Sequence, residues 1–226
     1  MNESNSPLDT ITIDDRSFIR LDDTSDELFY QTPRFVTHID DPACAALTDY
    51  YATHLQNGDR ILDLMSSCVS HLPHDLSPRT VIGHGMNAEE LRANPQLDDY
   101  FIQNLNKNPG LPFERDSFDA CLIAVSVQYL TDPVRVFSEI GRVLSLGGRL
   151  IVSFSNRMFP TKAAFCWQLA TDHQKAKLVC LCFDKSGLHA TPEAEQVVAP
   201  SGGYDPLYAV RAHRLTKHMV NLLLAY

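Results

Sequence analysis

The chain of 226 residues is long enough to bury one substantial core, and its make-up, 44% hydrophobic and 21% charged, is that of an ordinary globular protein. Nineteen Lys and Arg against 28 Asp and Glu leave a net charge of −9 at pH 7 with no basic run. That argues against nucleic acid and anionic membrane as partners, because both are held by clustered cations.

The six cysteines lack paired CxxC spacing, and the first residues carry neither a basic region nor an apolar leader. No apolar stretch approaches the roughly 20 residues of a membrane helix. A cytoplasmic, reducing setting is therefore expected.

Residues 1–20 are polar and aperiodic and are expected to form a flexible N-terminus. Residues 21–58 follow as a lid segment rich in Phe, Tyr and Arg. Pro33 interrupts any helix there, although Tyr30, Arg34 and His38 recur at a spacing of four and would share a face if the stretch were helical. Asp41-Pro42 predicts a helix start, with Asp41 as N-cap and Pro42 in the first turn, running through Leu47, Tyr50 and Tyr51 to a stop at Gly58.

Residues 59–213 read as one α/β domain. Short apolar strands are expected at 60–64, 80–83, 99–103, 118–125 and 149–154. Asn87, with Glu90 three residues on, opens a helix in the manner of a capping box. Asp132-Pro133 opens another, with Val136, Phe137, Ile140 and Val143 on one face. Apolar strands separated by amphipathic helices mean a parallel sheet covered on both faces. The stretch 177–183 has strand propensity, but Asp172 as a cap and Gly187 as a stop favour a helix. Final strands are expected at 196–198 and 207–211. Residues 214–226 form an apolar tail, either a docked helix or a contact for a homodimer.

In an open parallel sheet, ligands bind outside the carboxyl ends of the strands. The working segments are then 65–73, 83–87, 104–106, 126–130 and 155–157. Cys68, His71, His74 and His84 fit no zinc spacing, so no metal is expected.

Three stretches carry a family resemblance: Ile61-Leu62-Asp63-Leu64, residues 111–119 (LPFERDSFD) and residues 139–150 (EIGRVLSLGGRL). In order and spacing they resemble the Rossmann-like S-adenosylmethionine-dependent methyltransferases, particularly the small-molecule type 11 group. The resemblance implies a three-layer α-β-α sandwich with a seven-stranded, mostly parallel sheet whose last strand is antiparallel. It implies S-adenosylmethionine as cofactor and methyl transfer to a small molecule as activity. The family's glycine-rich loop maps to 65–69, where Met65, Ser67 and Val69 replace the glycines, and Ser66 and Ser67 offer hydroxyls instead. Its ribose-binding acid maps to Gly85, between Gly83 and Met86. Asn87 or Glu89 is expected to reach the ribose instead, and Gly85 to free the room that Met65 takes. Asp63, His71, Asn104, Leu105, Asn106 and Ser126 complete the implied cofactor site.

Tyr129 and Gln128 are expected near the transferred methyl, with Tyr129, His38 and His71 as candidate bases. Tyr30 and Arg34 from the lid, with Asn156, Arg157 and Lys162 across the opening, suggest a small anionic substrate. Two other readings stay open: a non-catalytic scaffold that has lost the cofactor, and different chemistry or a modified ligand in the same pocket.

Overall fold

The structure is a computed structural model that describes residues 16–200 and 203–216. Seven strands form one sheet: β1 (Arg60–Leu64), β2 (Thr80–Gly85), β3 (Asp99–Ile102), β4 (Phe118–Ala124), β5 (Leu144–Phe154), β6 (Glu193–Val198) and β7 (Leu207–His213), in the order β3-β2-β1-β4-β5-β7-β6. β1 pairs in parallel with β2 and β4, β2 with β3, and β4 with β5, whereas β7 runs antiparallel to both β5 and β6. The expected fold class therefore holds, with β7 as the antiparallel strand.

The central strands are apolar on both sides because helices cover both. On one face α4 (Pro133–Val143), α5 (Phe165–Leu169) and α6 (Asp172–Ser186) close over Leu62, Leu64, Cys121, Ile123, Leu150 and Val152. On the other, α2 (Asp41–His54) lays Ala43, Leu47 and Tyr51 against Ile61, Ala120, Leu122, Ile151 and Ala209.

Several expectations shift in the folded chain. The cap of α2 is Asp40, not Asp41, because the Ala43 N–H donates to Asp40 Oδ1 at 3.0 Å and Pro42 falls second in the helix. The 177–183 stretch is helical, as preferred, but α6 is capped by Thr171 in a closed capping box with Gln174 rather than by Asp172. It ends at Gly187, whose φ of 71° is the left-handed stop. β5 starts at Leu144, five residues before the expected 149. An irregularity at Gly147 (φ 79°) lets Phe118 pair with Leu144 while Ala120 pairs with Arg149. α5 was not anticipated.

No helix joins β1 to β2. Residues 65–79 cross over as an irregular loop containing Pro73 and Pro78, and α2 covers the sheet face that such a helix would occupy. Residues 30–38 are not helical either. After the single turn of α1 (Asp26–Phe29) the chain is irregular, so Tyr30, Arg34 and His38 do not share a helical face.

The segment 16–40 instead forms a strap across the carboxyl ends of the strands. Fully buried Lys162 fastens it near its start: Nζ donates to the carbonyls of Thr24 at 2.6 Å and Asp22 at 3.3 Å, and lies 3.5 Å from Asp26 Oδ1. Arg20 pairs with the same Asp26 oxygen at 2.8 Å. At its far end, the Asp40 N–H donates to the Asp205 carboxylate and the Asp205 N–H to the Asp40 carboxylate, at 3.1 and 2.8 Å. Most of the expected N-terminal tail (1–15) and of the apolar tail (217–226), with the homodimer contact expected there, lies outside the described residues.

Candidate cofactor and acceptor site

Beneath the strap, outside the ends of β1, β2, β3 and β4, lies a cavity of about 130 Å³. β1 delivers Asp63 to its floor. Ser66 Oγ donates to Asp63 Oδ2 at 2.5 Å, and burial drives the carboxyl up to about 6 while the hydroxyls of Ser66 and Ser70 pull the other way.

Met65 follows in the left-handed conformation (φ 59°), the one glycine would supply without strain. Its backbone is held there by His84. The Met65 N–H donates to His84 Nδ1 at 3.1 Å, and the Ser66 N–H donates to the His84 carbonyl at 2.7 Å. With Nδ1 accepting, His84 Nε2 donates to the Gln103 carbonyl at 2.9 Å. Burial lowers this imidazole to about 4, so it is neutral and one tautomer ties together the ends of β1, β2 and β3. The Met65 side chain packs partly into the core and leaves the cavity open.

From Ser67 to His71 no backbone N–H finds an acceptor among the described residues. His71 is itself left-handed (φ 56°) and only 6% exposed. Its ring makes no hydrogen bond within the described protein, lines the cavity, and is held at about 4 by burial.

Gly85 ends β2, and a Cβ there would lie 2.7 Å from the Ser66 carbonyl oxygen. That corrects the expectation that Gly85 frees room for Met65: the space is filled by backbone. Asn87 lines the cavity but is fully engaged. Its Oδ1 accepts the N–H groups of Glu89 and Glu90 as N-cap of α3 (Ala88–Arg92), and its Nδ2 donates to the carbonyls of Tyr30 and Gln31 at 2.9 and 3.2 Å. Two donors and two acceptances leave nothing for a ribose.

The residue that sequence reasoning missed is Glu90. It does not close a capping box. It turns back into the cavity, where Oε2 accepts from Ser67 Oγ at 2.6 Å and Oε1 from the Arg34 N–H at 2.7 Å. The only signal was its place three residues after Asn87.

Asn104, Leu105 and Asn106 all line the cavity, but both asparagines also hold the strap. Asn104 Nδ2 donates to Glu27, and Asn106 Nδ2 to Asp26 and to the Tyr129 carbonyl. After β4, Ser126 is buried with its Oγ unpartnered. The Tyr129 hydroxyl accepts the Phe159 N–H at 2.9 Å, and burial pushes its phenol up, so it donates rather than acts as a base. His38 (φ 65°) stands at the exposed rim, its ring edge-on to Phe159 at 5.4 Å. Desolvation lowers its imidazole below the ordinary value, Glu90 opposing the shift and Arg34 adding to it.

Several expected site residues are elsewhere. Gly83 sits within β2 under Leu97. Gln128 is buried on the other side of its turn, donating to the Val125 carbonyl. The Arg34 guanidinium stacks on Phe29 and Phe159, at 4.6 and 5.3 Å from their ring centres. Arg157 pairs with Asp205 at 2.7 Å, and Asn156 accepts from Ser155 Oγ. None of the last four lines the cavity, because each has a nearer partner.

Residues 59–152 match the protein family described as a methyltransferase domain. The strand order, the antiparallel β7 and the cavity at the carboxyl ends agree with that match. The fold is that of the class I S-adenosylmethionine-dependent methyltransferases. Among solved structures, a chain from the complex of the Haloferax volcanii Trm112 methyltransferase activator with a methyltransferase aligns with a TM-score of 0.57 and 15% identity, over 79% of this chain and 92% of that one. Phosphoethanolamine N-methyltransferase 2 of Haemonchus contortus, solved with S-adenosyl-L-methionine, aligns at 0.54 and 13%, over 75% and 52%. The cyclase SpnF aligns at 0.56 and 17%, over 75% and 81%. Uncharacterized proteins of Mycobacterium tuberculosis and Mycobacterium bovis are 28% identical over 109 residues, 48% of this chain, which spans about a third (34%) of their length.

The cofactor that this family implies is S-adenosylmethionine, and the residues present fit it. The partnerless Ser126 hydroxyl, the partnerless His71 ring and the free N–H groups of the β1 loop all offer hydrogen bonds that the described protein does not use.

Proposed function

We propose that this chain transfers a methyl group from S-adenosylmethionine to a small-molecule acceptor seated between the strap and the β4 loop. The observation that carries this reading is a cavity that stays open although the loop glycines are replaced, with unpartnered polar groups along its wall. When bound, the cofactor supplies a sulfonium-activated methyl group. The chain's part is to align the acceptor and keep water out, which the strap does by lying across the strand ends.

We read His38, whose imidazole pKa is lowered by burial, as the group that takes the acceptor's proton, and the Tyr129 phenol as a hydrogen-bond donor to the acceptor. The cations first assigned to an anionic substrate do not support one: Arg34, Arg157 and Lys162 are each engaged away from the cavity. Tyr30, His38, Tyr129 and Phe159 form its outer wall. The acceptor is accordingly read as a small molecule with an apolar or aromatic body and an O–H or N–H nucleophile. Residues 59–213 are read as the domain performing the reaction, with 16–40 as its cover.

The test is calorimetric titration with S-adenosylhomocysteine, followed by incubation of the protein with isotope-labelled S-adenosylmethionine and a metabolite extract, with labelled products read by mass spectrometry. Binding and one labelled small molecule are expected. Replacing His38 by Gln should slow transfer roughly 10²–10⁴-fold while binding persists. Silence in both assays would leave the non-catalytic scaffold.

A further inference from the structure

We propose that Glu90, on α3, is the carboxylate that receives the two ribose hydroxyls of the adenosyl ligand. The proposal rests on the reading that the cavity holds S-adenosylmethionine. A vicinal diol presents two O–H donors, and a carboxylate, with about four acceptor sites, is the side chain best matched to both.

Among the described residues three carboxylates line the cavity: Asp26, Asp63 and Glu90. Asp26 is already surrounded by donors, with Arg20 at 2.8 Å, Asn106 at 3.0 Å and Lys162 at 3.5 Å. Asp63 is turned toward the hydroxyl of Ser66. The end of β2 carries no acid and has no room for one, since Gly85 lies against the Ser66 carbonyl. Glu90 remains. It stands five residues beyond Gly85, is 7% exposed, and accepts one hydrogen bond on each oxygen. Each oxygen keeps a second lone pair.

Its orientation follows from α3. Asn87 caps the helix alone, taking both the Glu89 and Glu90 N–H groups, so the Glu90 side chain is not needed to close a capping box. It reaches Ser67 on the β1 loop instead. Because the other oxygen receives the Arg34 amide, the ligand's hydroxyls and the strap meet at one group. Occupation of the ribose position and seating of the strap are therefore coupled.

The alternative role is a clasp between strap and loop with no part in recognition, and a double-mutant cycle separates the two. Calorimetry of the full chain with S-adenosylhomocysteine comes first; no binding by the wild type overturns the cofactor reading and this assignment with it. Given binding, wild type and Glu90→Gln are each titrated with S-adenosylhomocysteine and with its 2′,3′-dideoxy counterpart. Glu90→Gln should weaken the hydroxylated ligand about 10- to 100-fold, and loss of the diol should weaken the wild type similarly. The diol should then matter less than about threefold to the variant. Equal losses for both ligands, or unchanged affinity in the variant, overturn the proposal. Should Glu90→Gln not fold, as judged by circular dichroism, Glu90→Asp replaces it, and the same diol-dependent loss is expected.

Discussion

An aspartate introduced at Gly85, where the family pattern would have one, meets the Ser66 carbonyl oxygen, which is backbone and cannot turn away. Gly85→Asp is expected to lose about 1–3 kcal/mol of stability by overpacking, read by urea unfolding, with no gain in ligand affinity. Asp63 offers a second test. Its carboxyl, raised by burial to about 6 from 3.8, binds a proton more tightly in the native chain than in the unfolded one. Its contribution is therefore favourable below pH 3.8 and lost as pH climbs through 6. Relative to Asp63→Asn, which keeps an oxygen for Ser66, the wild type should gain about 2–3 kcal/mol between pH 7.5 and pH 4. A pH-independent difference in urea midpoints would refute the shift. Residues at strand ends, such as Asp63, Ser66, Ser126 and Tyr129, could be placed from the sequence because topology alone sets where a strand stops. Arg34, Arg157, Gln128 and Glu90 could not. Their long side chains choose among partners that only the folded chain brings near, and spacing is silent about that choice.

Among elements, the strap and its fastening have the clearest consequence. Lys162 is fully buried, ringed by two carbonyls and the carboxylates of Asp22 and Asp26. Lys162→Met removes the cation and leaves those acceptors facing hydrocarbon, at an expected cost of about 3–5 kcal/mol. Limited proteolysis within 20–38 should accelerate while the sheet core stays resistant; unchanged cleavage would show that the strap is held elsewhere. The long helices and most strands were legible because their caps and apolar periods are local. α2 and α6 were each displaced by one residue at the start, since Asp40 and Asp41, or Thr171 and Asp172, are adjacent residues able to cap and only the fold selects one. The path from β1 to β2 was legible as a loop, since Pro73, Pro78 and the lack of an apolar stripe all argue locally against a helix.

For the molecule as a whole, buried histidines set the response to acid. His71, His84 and His189 are each lowered to about 4 by burial, so they are neutral when folded but gain protons below about 6.5 when unfolded. Their contribution is intact above pH 6.5 and lost as pH falls through 4. Asp63 works in the opposite sense. The three imidazoles outweigh Asp63, so unfolding between pH 6 and 4 takes up protons on balance. The urea midpoint should fall steeply over that window, and a flat profile would contradict the neutral, buried state of these rings. The seven-stranded sheet and the antiparallel β7 were anticipated through the family resemblance; the strand order was not, and the closing of the strand ends by the chain's own N-terminal portion was seen only in outline.

Tethering at Lys162 and again at Asp205 has a kinetic corollary. A flap hinged on one side swings clear, but a ribbon knotted at two points only bows. Between those knots the strap is pinned again, at Tyr30 and Gln31 by Asn87 and at Arg34 by Glu90, so lifting its middle means breaking these hydrogen bonds together.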